Sequence, residues 1–419
     1  MEPAPTPGGL RRSFQPDIVE YSSQVRILFV SPRQCRPPLS GAKLREYHLA
    51  RALAQRAELT HVYFSRGPHG EMDALPWETV AVPAPRFYTP AKIARGIVGR
   101  WPLPVVNYTS AAMESALAAL VSRRPFDLVH IDILHMAAYE GILRRAGAPV
   151  VYNWHNIESE AMWRYGAAAA SPAHRLYAAL TARRLWNLET EILRTGFGHV
   201  VCSERERETL RGAVKGARVA VIENGVDTEF FQPAPADGNR RRHVLFVGQM
   251  SYHANADAAV AFAREIWPAI RERFPDWRFT VAGADPAAAV RALAEDAGVK
   301  VTGTVEDIRP LYREAIAAVV PLRVGGGTRL KILEAMAAGV PVVSTPLGAE
   351  GLAVSPGRDI LIAEKREDWL THLSALSGEG DLWNAMAEAG RRLVTARYDW
   401  GTLGRALYET YRQWLDEAQ

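Results

Sequence analysis

The segment of this chain whose residue types ask most directly for a ligand is Gly325-Gly326-Gly327-Thr328-Arg329-Leu330-Lys331. An apolar run from Ala317 to Leu322 precedes it and reads as a buried strand. A helix pattern follows from Arg329 to Ala338, with Thr328 as its N-cap and Gly339 and Pro341 as its stop signal. The first turn of that helix holds two cations, Arg329 and Lys331. A helix N-terminus carries positive partial charge, so cations there are mildly unfavourable. Glycines let a backbone approach closely, and N–H groups at a helix start bind anions. A bound anion, most naturally a phosphate group, makes the arrangement favourable. The competing reading sends both side chains into solvent, or pairs Lys331 with Glu334 one turn on.

Three further residues fit a phosphate-bearing ligand. Gly41 closes a loop after the strand Val25 to Val30 and opens a helix whose first turn holds Lys43 and Arg45. One diphosphate could touch both helix starts across a cleft; the alternative is a plain helix-start glycine with exposed cations. His155 follows the strand Val150 to Trp154, at the carboxyl edge where ligand contacts gather in open α/β sheets. There it can donate or accept a proton near neutral pH, or merely start the next helix. Glu334, on the same helix as Lys331, could take ribose hydroxyls, because an ionised carboxylate accepts strongly.

Several chemistries are absent from the sequence. No Asp-x-Asp pair occurs, so a metal-held nucleotide diphosphate of that type is not expected. The Walker loop, the Gly-x-Ser-x-Gly elbow and a Gly-x-Gly-x-x-Gly after a strand are missing too, and the last speaks against a dinucleotide oxidoreductase. Phosphates would then be held by backbone N–H groups and cations. No metal site and no cofactor are expected. Cys35 and Cys202 offer neither a disulfide framework nor metal-ligand spacing, which fits a reducing cytosol.

A chain of 419 residues suits two domains. No run of about 18 apolar residues occurs, so no membrane span is expected. The charge is uneven: the first 200 residues carry 23 Lys and Arg against 16 Asp and Glu. Between Arg86 and Arg124, Glu114 is the only acid beside six cations. That excess points to an anionic surface as partner, or to an ordinary solvated face. The helix pattern from Ala91 to Arg100, with Ile93, Ile97 and Val98 beside Lys92 and Arg95, could lie on an anionic membrane or pack on its own domain. Nucleic acid is not expected as a partner. The expected location is the cytoplasm, with peripheral attachment to the inner face of the membrane.

Strands alternate with helices in two series, which argues for a parallel sheet in each. Residues 1–20, rich in Pro and Gly, read as a disordered tail. Residues 21–230 read as a first Rossmann-like domain, 231–242 as a linker, and 243–400 as a second doubly wound domain. The stretch from Leu382 onward is helical, with Trp383, Tyr398 and Trp400 as packing residues. Two such domains bind ligands at the carboxyl ends of their strands, in the cleft between them.

The chain resembles the GT-B glycosyltransferases of family 4, the group 1 enzymes that use nucleotide-sugar donors. The resemblance rests, in order, on Pro37-Pro38-Leu39-Ser40-Gly41, His155-Asn156-Ile157-Glu158, Val201-Cys202-Ser203-Glu204, Ile222-Glu223-Asn224-Gly225-Val226-Asp227, Phe246-Val247-Gly248, and Gly326 through Met336. It implies two Rossmann-like domains, with the donor on the C-terminal one and the final helix, 401–419, crossing back onto the first. It also implies a retaining, metal-independent transfer of a sugar to a hydroxyl acceptor in polysaccharide or glycolipid synthesis, the acceptor being a glycan or lipid-linked glycan.

By matching position, the resemblance implies that Glu334 binds the ribose and that Gly326, Gly327, Thr328, Leu330 and Lys331 hold diphosphate and sugar. Gly41 would face the diphosphate, Gly248 and Gln249 would line the donor, and Val305 to Asp307 would lie near the base. His155 would sit beside the transferred sugar and, with Arg329 and Lys331, carry the catalysis. The sequence departs from the family twice. One of two family glutamates falls at Gly326, and Gln249 and Asn255 stand near positions where the family has an Arg and a Lys. Arg329 and Lys331 would then take over the phosphate charge. An epimerase or phosphorolytic enzyme, or a non-catalytic nucleotide-binding subunit, is the alternative on the same architecture.

Overall fold

The computed structural model describes residues 24–38, 40–67, 75–169, 171–233, 242–325, 329–378 and 381–418. The expected tail and most of the expected linker lie outside these residues, as do Gly326, Gly327 and Thr328.

Two parallel sheets organise the chain. The first contains β1 (Arg26–Ser31), β2 (Glu58–Ser65), β3 (Glu78–Pro83), β4 (Leu128–Asp132), β5 (Val150–Asn153), β6 (Gly198–Val201) and β7 (Val219–Val221), in the order β3-β2-β1-β4-β5-β6-β7. The second contains β8 (His243–Val247), β9 (Arg278–Ala282), β10 (Val299–Gly303), β11 (Ala315–Val320), β12 (Val342–Ser344) and β13 (Leu361–Ile362), in the order β10-β9-β8-β11-β12-β13. Central strands such as β11, Ala-Ile-Ala-Ala-Val-Val, are buried along their whole length. A parallel strand covered on both faces by helices needs such a continuous apolar run.

Both sheets run outward from a first strand in one direction and then the other. The order reverses between β1 and β4 in the first sheet and between β8 and β11 in the second. At a reversal the two flanking connections leave on opposite faces and open a crevice at the strand ends. The β1 connection leads to α1 (Gly41–Ala54), and the β11 connection leads towards a short helix at Leu330–Ala337. Those two connections hold the cationic helix starts singled out in the sequence.

Further helices used below are α2 (Pro90–Val98), α3 (Glu158–Ala168), α4 (Pro172–Thr195), α5 (Leu330–Ala337) and α6 (Trp400–Asp416). The last of these leaves the second sheet and packs on the first. Its Leu403, Leu407, Tyr411 and Trp414 are buried with Ile27, Phe29 and Leu53. Asp399 caps α6, accepting from Gly401 N at 2.8 Å, and takes the hydroxyl of Thr228 at 2.6 Å. Val226 N donates to Tyr398 O at 2.8 Å, so the Asn224–Asp227 segment and the start of α6 lie side by side. Gly225 permits this approach, because a Cβ there would stand 2.6 Å from Tyr398 O.

The closest packing between α6 and α1 is at Gly404, where an added Cβ would overlap Ala52. Gly404→Ala is therefore expected to destabilise the chain by about 1–3 kcal/mol. Gly212→Ala, in a helix with open space around it, should leave stability unchanged or raise it. Thermal melting of the two variants checks this; equal melting temperatures would contradict the packing described.

Candidate functional site

The starts of α1 and α5 face each other from the two sheets. An added Cβ on Gly41 would stand 3.4 Å from Leu330 Cδ1. Ser40 caps α1, accepting from Lys43 N at 3.5 Å. On the other side, Gly325 takes φ +104°, and a Cβ there would be 2.8 Å from that of Ala254. A glycine is needed at that turn for both conformation and room. Helix α5 begins at Leu330, with Arg329 in the cap position and no side-chain cap.

The two cations at this start are neither in open solvent nor paired along the helix. Arg329 is 6% exposed; Nη2 reaches Glu350 Oε2 at 3.3 Å, and Nε is buried without a partner among the described residues. Lys331 Nζ donates to Asn255 Oδ1 at 2.7 Å and lies 5.2 Å from the centre of the Phe246 ring. Glu334 instead accepts from the Tyr312 hydroxyl at 3.2 Å. The competing Lys331–Glu334 pair does not form, because Lys331 turns towards the end of β8 and Glu334 towards Tyr312.

Both cations pay for burial in their protonation. Burial, with the Arg329 charge beside it, pushes Lys331 down to about 8. Burial also lowers Arg329, against Glu350. Burial raises the carboxyl of Glu334 despite Tyr312 and Lys331. A cavity of about 100 Å³ is bounded by Tyr252, Ala254, Asn255, Leu322, Val324, Arg329 and Lys331. Two desolvated like charges on one small cavity are stabilised by an anion entering it.

Gly248 follows β8 and packs against Asn255, which lines this cavity. A Cβ there would stand 2.7 Å from Asn255 Nδ2, and one on Gly283 would overlap the Gly248 carbonyl oxygen. Asn255 Nδ2 donates to Gln249 O at 3.0 Å while its Oδ1 takes Lys331, so one amide joins the β8 loop to α5. The Gln249 side chain is exposed. Val305 and Asp307 follow β10 at the sheet's edge and do not border the cavity. Asp307 is engaged by Arg309, with Nη2 at 2.8 Å, and the Arg309 guanidinium lies 4.1 Å from the Phe230 ring centre.

The wall contributed by the first sheet differs from expectation at Arg45. It is 1% exposed and is not a cleft cation. Its guanidinium donates to Asn153 Oδ1 at 2.8 Å, to Ile222 O at 2.7 Å and to Glu223 O at 3.1 Å. The side chain points onto the strand ends, where carbonyl oxygens accept its N–H groups. Lys43 stays half-buried at the helix start.

His155 does not cap the next helix, since α3 begins at Glu158 with Ile157 in the cap position. Its Nε2 lies 3.1 Å from Asp132 Oδ1. Asp132 is fully buried at the end of β4 and also accepts from Asn153 Nδ2 at 2.6 Å. Arg33 Nε donates to buried Glu46 Oε1 at 3.0 Å. Burial and the Asp132 charge raise the Glu46 carboxyl well above its usual range. Against the upward push of burial, His155 and His130, with a hydrogen bond from Glu46, hold Asp132 well below its own. Glu158 is raised to about 7 by burial, against Arg33. Asp132, Glu46 and Arg33 escaped the sequence reading, and their one visible signal was an acid at the carboxyl end of an apolar strand; Asn255 was noted there only as a departure from the family.

The comparisons with known proteins agree with this architecture. The family model described as glycosyl transferases group 1 matches residues 241–378, and that of glycosyltransferase family 4 matches residues 39–230. The chain is 28% identical over 223 residues to D-inositol 3-phosphate glycosyltransferase of Corynebacterium urealyticum, covering 47% of this chain and 51% of that one. It is 26% identical over 241 residues to GDP-mannose:cellobiosyl-diphosphopolyprenol alpha-mannosyltransferase of Xanthomonas oryzae, covering 54% and 61%. The chain thus spans about half the length of the curated relatives it matches. Among solved structures, sucrose-phosphate synthase of Thermosynechococcus elongatus superposes with a TM-score of 0.68 at 18% identity, covering 94% of this chain and 100% of that one. HepE of Anabaena, in complex with UDP and glucose, gives 0.63 at 17%, covering 92% and 99%. The structural likenesses carry the fold, and the two family models fall one on each sheet in chain order: the chain belongs to the glycosyl transferases of group 1, family 4, with a GT-B fold.

Proposed function

We propose that this chain moves a sugar from a nucleotide-diphosphate-sugar donor to a hydroxyl of a glycan or lipid-linked glycan, with retention of configuration and without a metal, in polysaccharide or glycolipid synthesis. The observation that carries the reading is the apposition of two helix starts, at Gly41 and Leu330, beside buried Arg329 and half-buried Lys331. A diphosphate leaving group gains negative charge as its bond to the sugar breaks. Helix N-termini and fixed cations stabilise that charge without reorganising. Glu334, held by the buried Tyr312 hydroxyl, would take the ribose, and Gly248 and Gln249 the donor edge of the cleft. Val305 and Asp307 would stand towards the base. His155, on the opposite wall, would meet the sugar or the attacking hydroxyl. The acceptor class follows the relatives' printed names, which include an inositol phosphate and a diphosphopolyprenol-linked sugar.

The same reading includes docking to an anionic membrane. No helix among the described residues is long and apolar enough to cross a membrane. Helix α2 nevertheless exposes Ile97 at 67% and Val98 at 85%, and α4 exposes Leu176 and Leu180. Arg184 of α4 donates to the carbonyls of Gly96 and Ile97, which ties the two helices together. Arg95 and Arg100 flank the apolar side chains, a pattern suited to an interface with acidic headgroups.

The donor reading has a signed pH consequence. Free Lys331 loses its proton as pH rises through about 8, and a bound phosphate holds that proton on. Calorimetric titration of UDP or GDP at pH of about 8.5, in buffers of different ionisation heat, should therefore show proton uptake and weaker binding than at neutral pH. Lys331→Met should abolish the uptake. Proton release, or tighter binding at higher pH, would contradict the assignment. Transfer by the Arg329→Ala, Lys331→Ala double variant should fall well over tenfold, each lost contact costing ~2.7–4 kcal/mol in the transition state. For the membrane, Ile97→Asp with Leu180→Asp should abolish co-sedimentation with vesicles containing phosphatidylglycerol. Equal recovery of variant and parent chains would refute the docking face.

A further inference from the structure

Asp132 and Glu46 form a buried acidic pair behind His155, and the hydrogen bonds around them fix which atoms carry protons. Asp132 Oδ1 is committed to Asn153 Nδ2 at 2.6 Å and His155 Nε2 at 3.1 Å. Glu46 Oε1 is committed to Arg33 Nε at 3.0 Å. The remaining oxygens, Asp132 Oδ2 and Glu46 Oε2, are both sealed from solvent and lack a partner as acceptors. Two carboxylates are not stable together in that position unless a proton lies between them. With one proton on Glu46 Oε2 the set closes: Arg33 carries the positive charge, Asp132 the negative, and Oε2 donates to Asp132 Oδ2 while the other three oxygens accept.

Two members are open to solvent, the Arg33 side chain and, to a smaller extent, the His155 ring, and the ring is the one that can exchange a proton near neutral pH. With Nε2 turned to Asp132, its Nδ1 has no hydrogen-bond partner among the described residues and is not among the sealed atoms. His130 lies on the other side of Asp132, with Nε2 3.6 Å from Oδ1, and its Nδ1 is 2.7 Å from the Tyr411 hydroxyl of α6. An anionic acceptor at Nε2 forces the proton of a neutral imidazole onto Nε2, and Nδ1 is then a lone pair.

Resting on the donor reading above, we infer that Asp132 is a positioning residue for the transfer. Its carboxylate fixes the Nε2–H form of His155, so that Nδ1 accepts a hydrogen bond from a hydroxyl of the transferred sugar or of the attacking acceptor, and protonated Glu46 keeps Asp132 charged. A purely structural pair would fill space and satisfy Asn153, but it would not govern the imidazole proton.

The test is a long-range proton–nitrogen NMR spectrum of the full-length chain labelled with ¹⁵N-histidine, with His155→Gln identifying the signals. The expected result is the Nε2–H pattern for neutral His155. Glu46→Gln, which keeps a donor facing Asp132, should retain that pattern. Asp132→Ala, which removes the acceptor at Nε2, should give the mixed tautomer pattern of an imidazole with no acceptor on Nε2. The same variant should lower transfer from UDP-glucose or GDP-mannose, whichever donor probe the parent chain cleaves, by more than about tenfold. Its melting-temperature shift with UDP or GDP should match that of the parent chain. A drop in kcat for donor hydrolysis as well points to the sugar hydroxyl; intact hydrolysis with transfer to added saccharide lost points to the acceptor hydroxyl. An Nδ1–H pattern in the parent chain, or a pure Nε2–H pattern in folded Asp132→Ala, overturns the inference. If Asp132→Ala fails to fold, the parent spectrum and Glu46→Gln decide. Absence of any melting shift with UDP or GDP in the parent chain would instead count against the donor reading, and the spectrum still decides the tautomer.

Discussion

The cleft is organised around two desolvated cations, buried Arg329 and half-buried Lys331, that have little negative charge around them among the described residues. Arg329 has one exposed carboxylate at 3.3 Å, and Lys331 has a neutral amide and a ring face. Each stands at the start of α5, where the helix dipole adds further positive potential. A protein that needed only a stable fold would do better with apolar residues here. An anion entering there would relieve the strain, and the start of α1 comes close on the other side. The strand order that produces a crevice is repeated in both sheets, so the place proposed for the ligand follows from topology before any side chain is considered.

The relation between the two walls is held by a few close contacts. Helix α6 lies on the first sheet but is continuous with the second, and its start is tied to the Asn224–Asp227 segment by Asp399, Thr228 and Val226. Arg45 fastens that segment from the other side through the carbonyls of Ile222 and Glu223. Arg391 adds hydrogen bonds to the carbonyls of Thr228 and Phe231. Glycines at 225 and 404 let these backbones approach, so the Asn224-Gly225-Val226-Asp227 motif serves the packing of α6.

Much of this was legible in the sequence where a local rule governs. The apolar run before Gly325, the stop at Gly339, whose φ is +69°, and the alternation of strands with helices all follow from periodicity and backbone preference. The charge oddity at Arg329 and Lys331 was visible because helix polarity is a local property. Arg45 was misread for the same reason: a cation in a first turn looks like a surface group until the strand ends beneath it are known. The Lys331–Glu334 pair failed because each side chain found a partner from another element, Asn255 and Tyr312. Strand β3 also escaped, being a half-exposed edge strand that ends in Pro83 and carries little apolar signal. The Arg33–Glu46–Asp132–His155 chain joins residues from β4 and three separate connecting or helical stretches, and nothing short of the fold brings them together.

The most direct test of the account is a crystal structure of the chain with a bound nucleoside diphosphate. The phosphate groups should lie between the starts of α1 and α5, with an oxygen within about 3 Å of Lys331 Nζ and the Gly41 backbone on the opposite side. Phosphate bound elsewhere, for instance in the separate cavity of about 740 Å³ beside Arg66 and Phe87, with Lys331 still engaged only by Asn255, would contradict it.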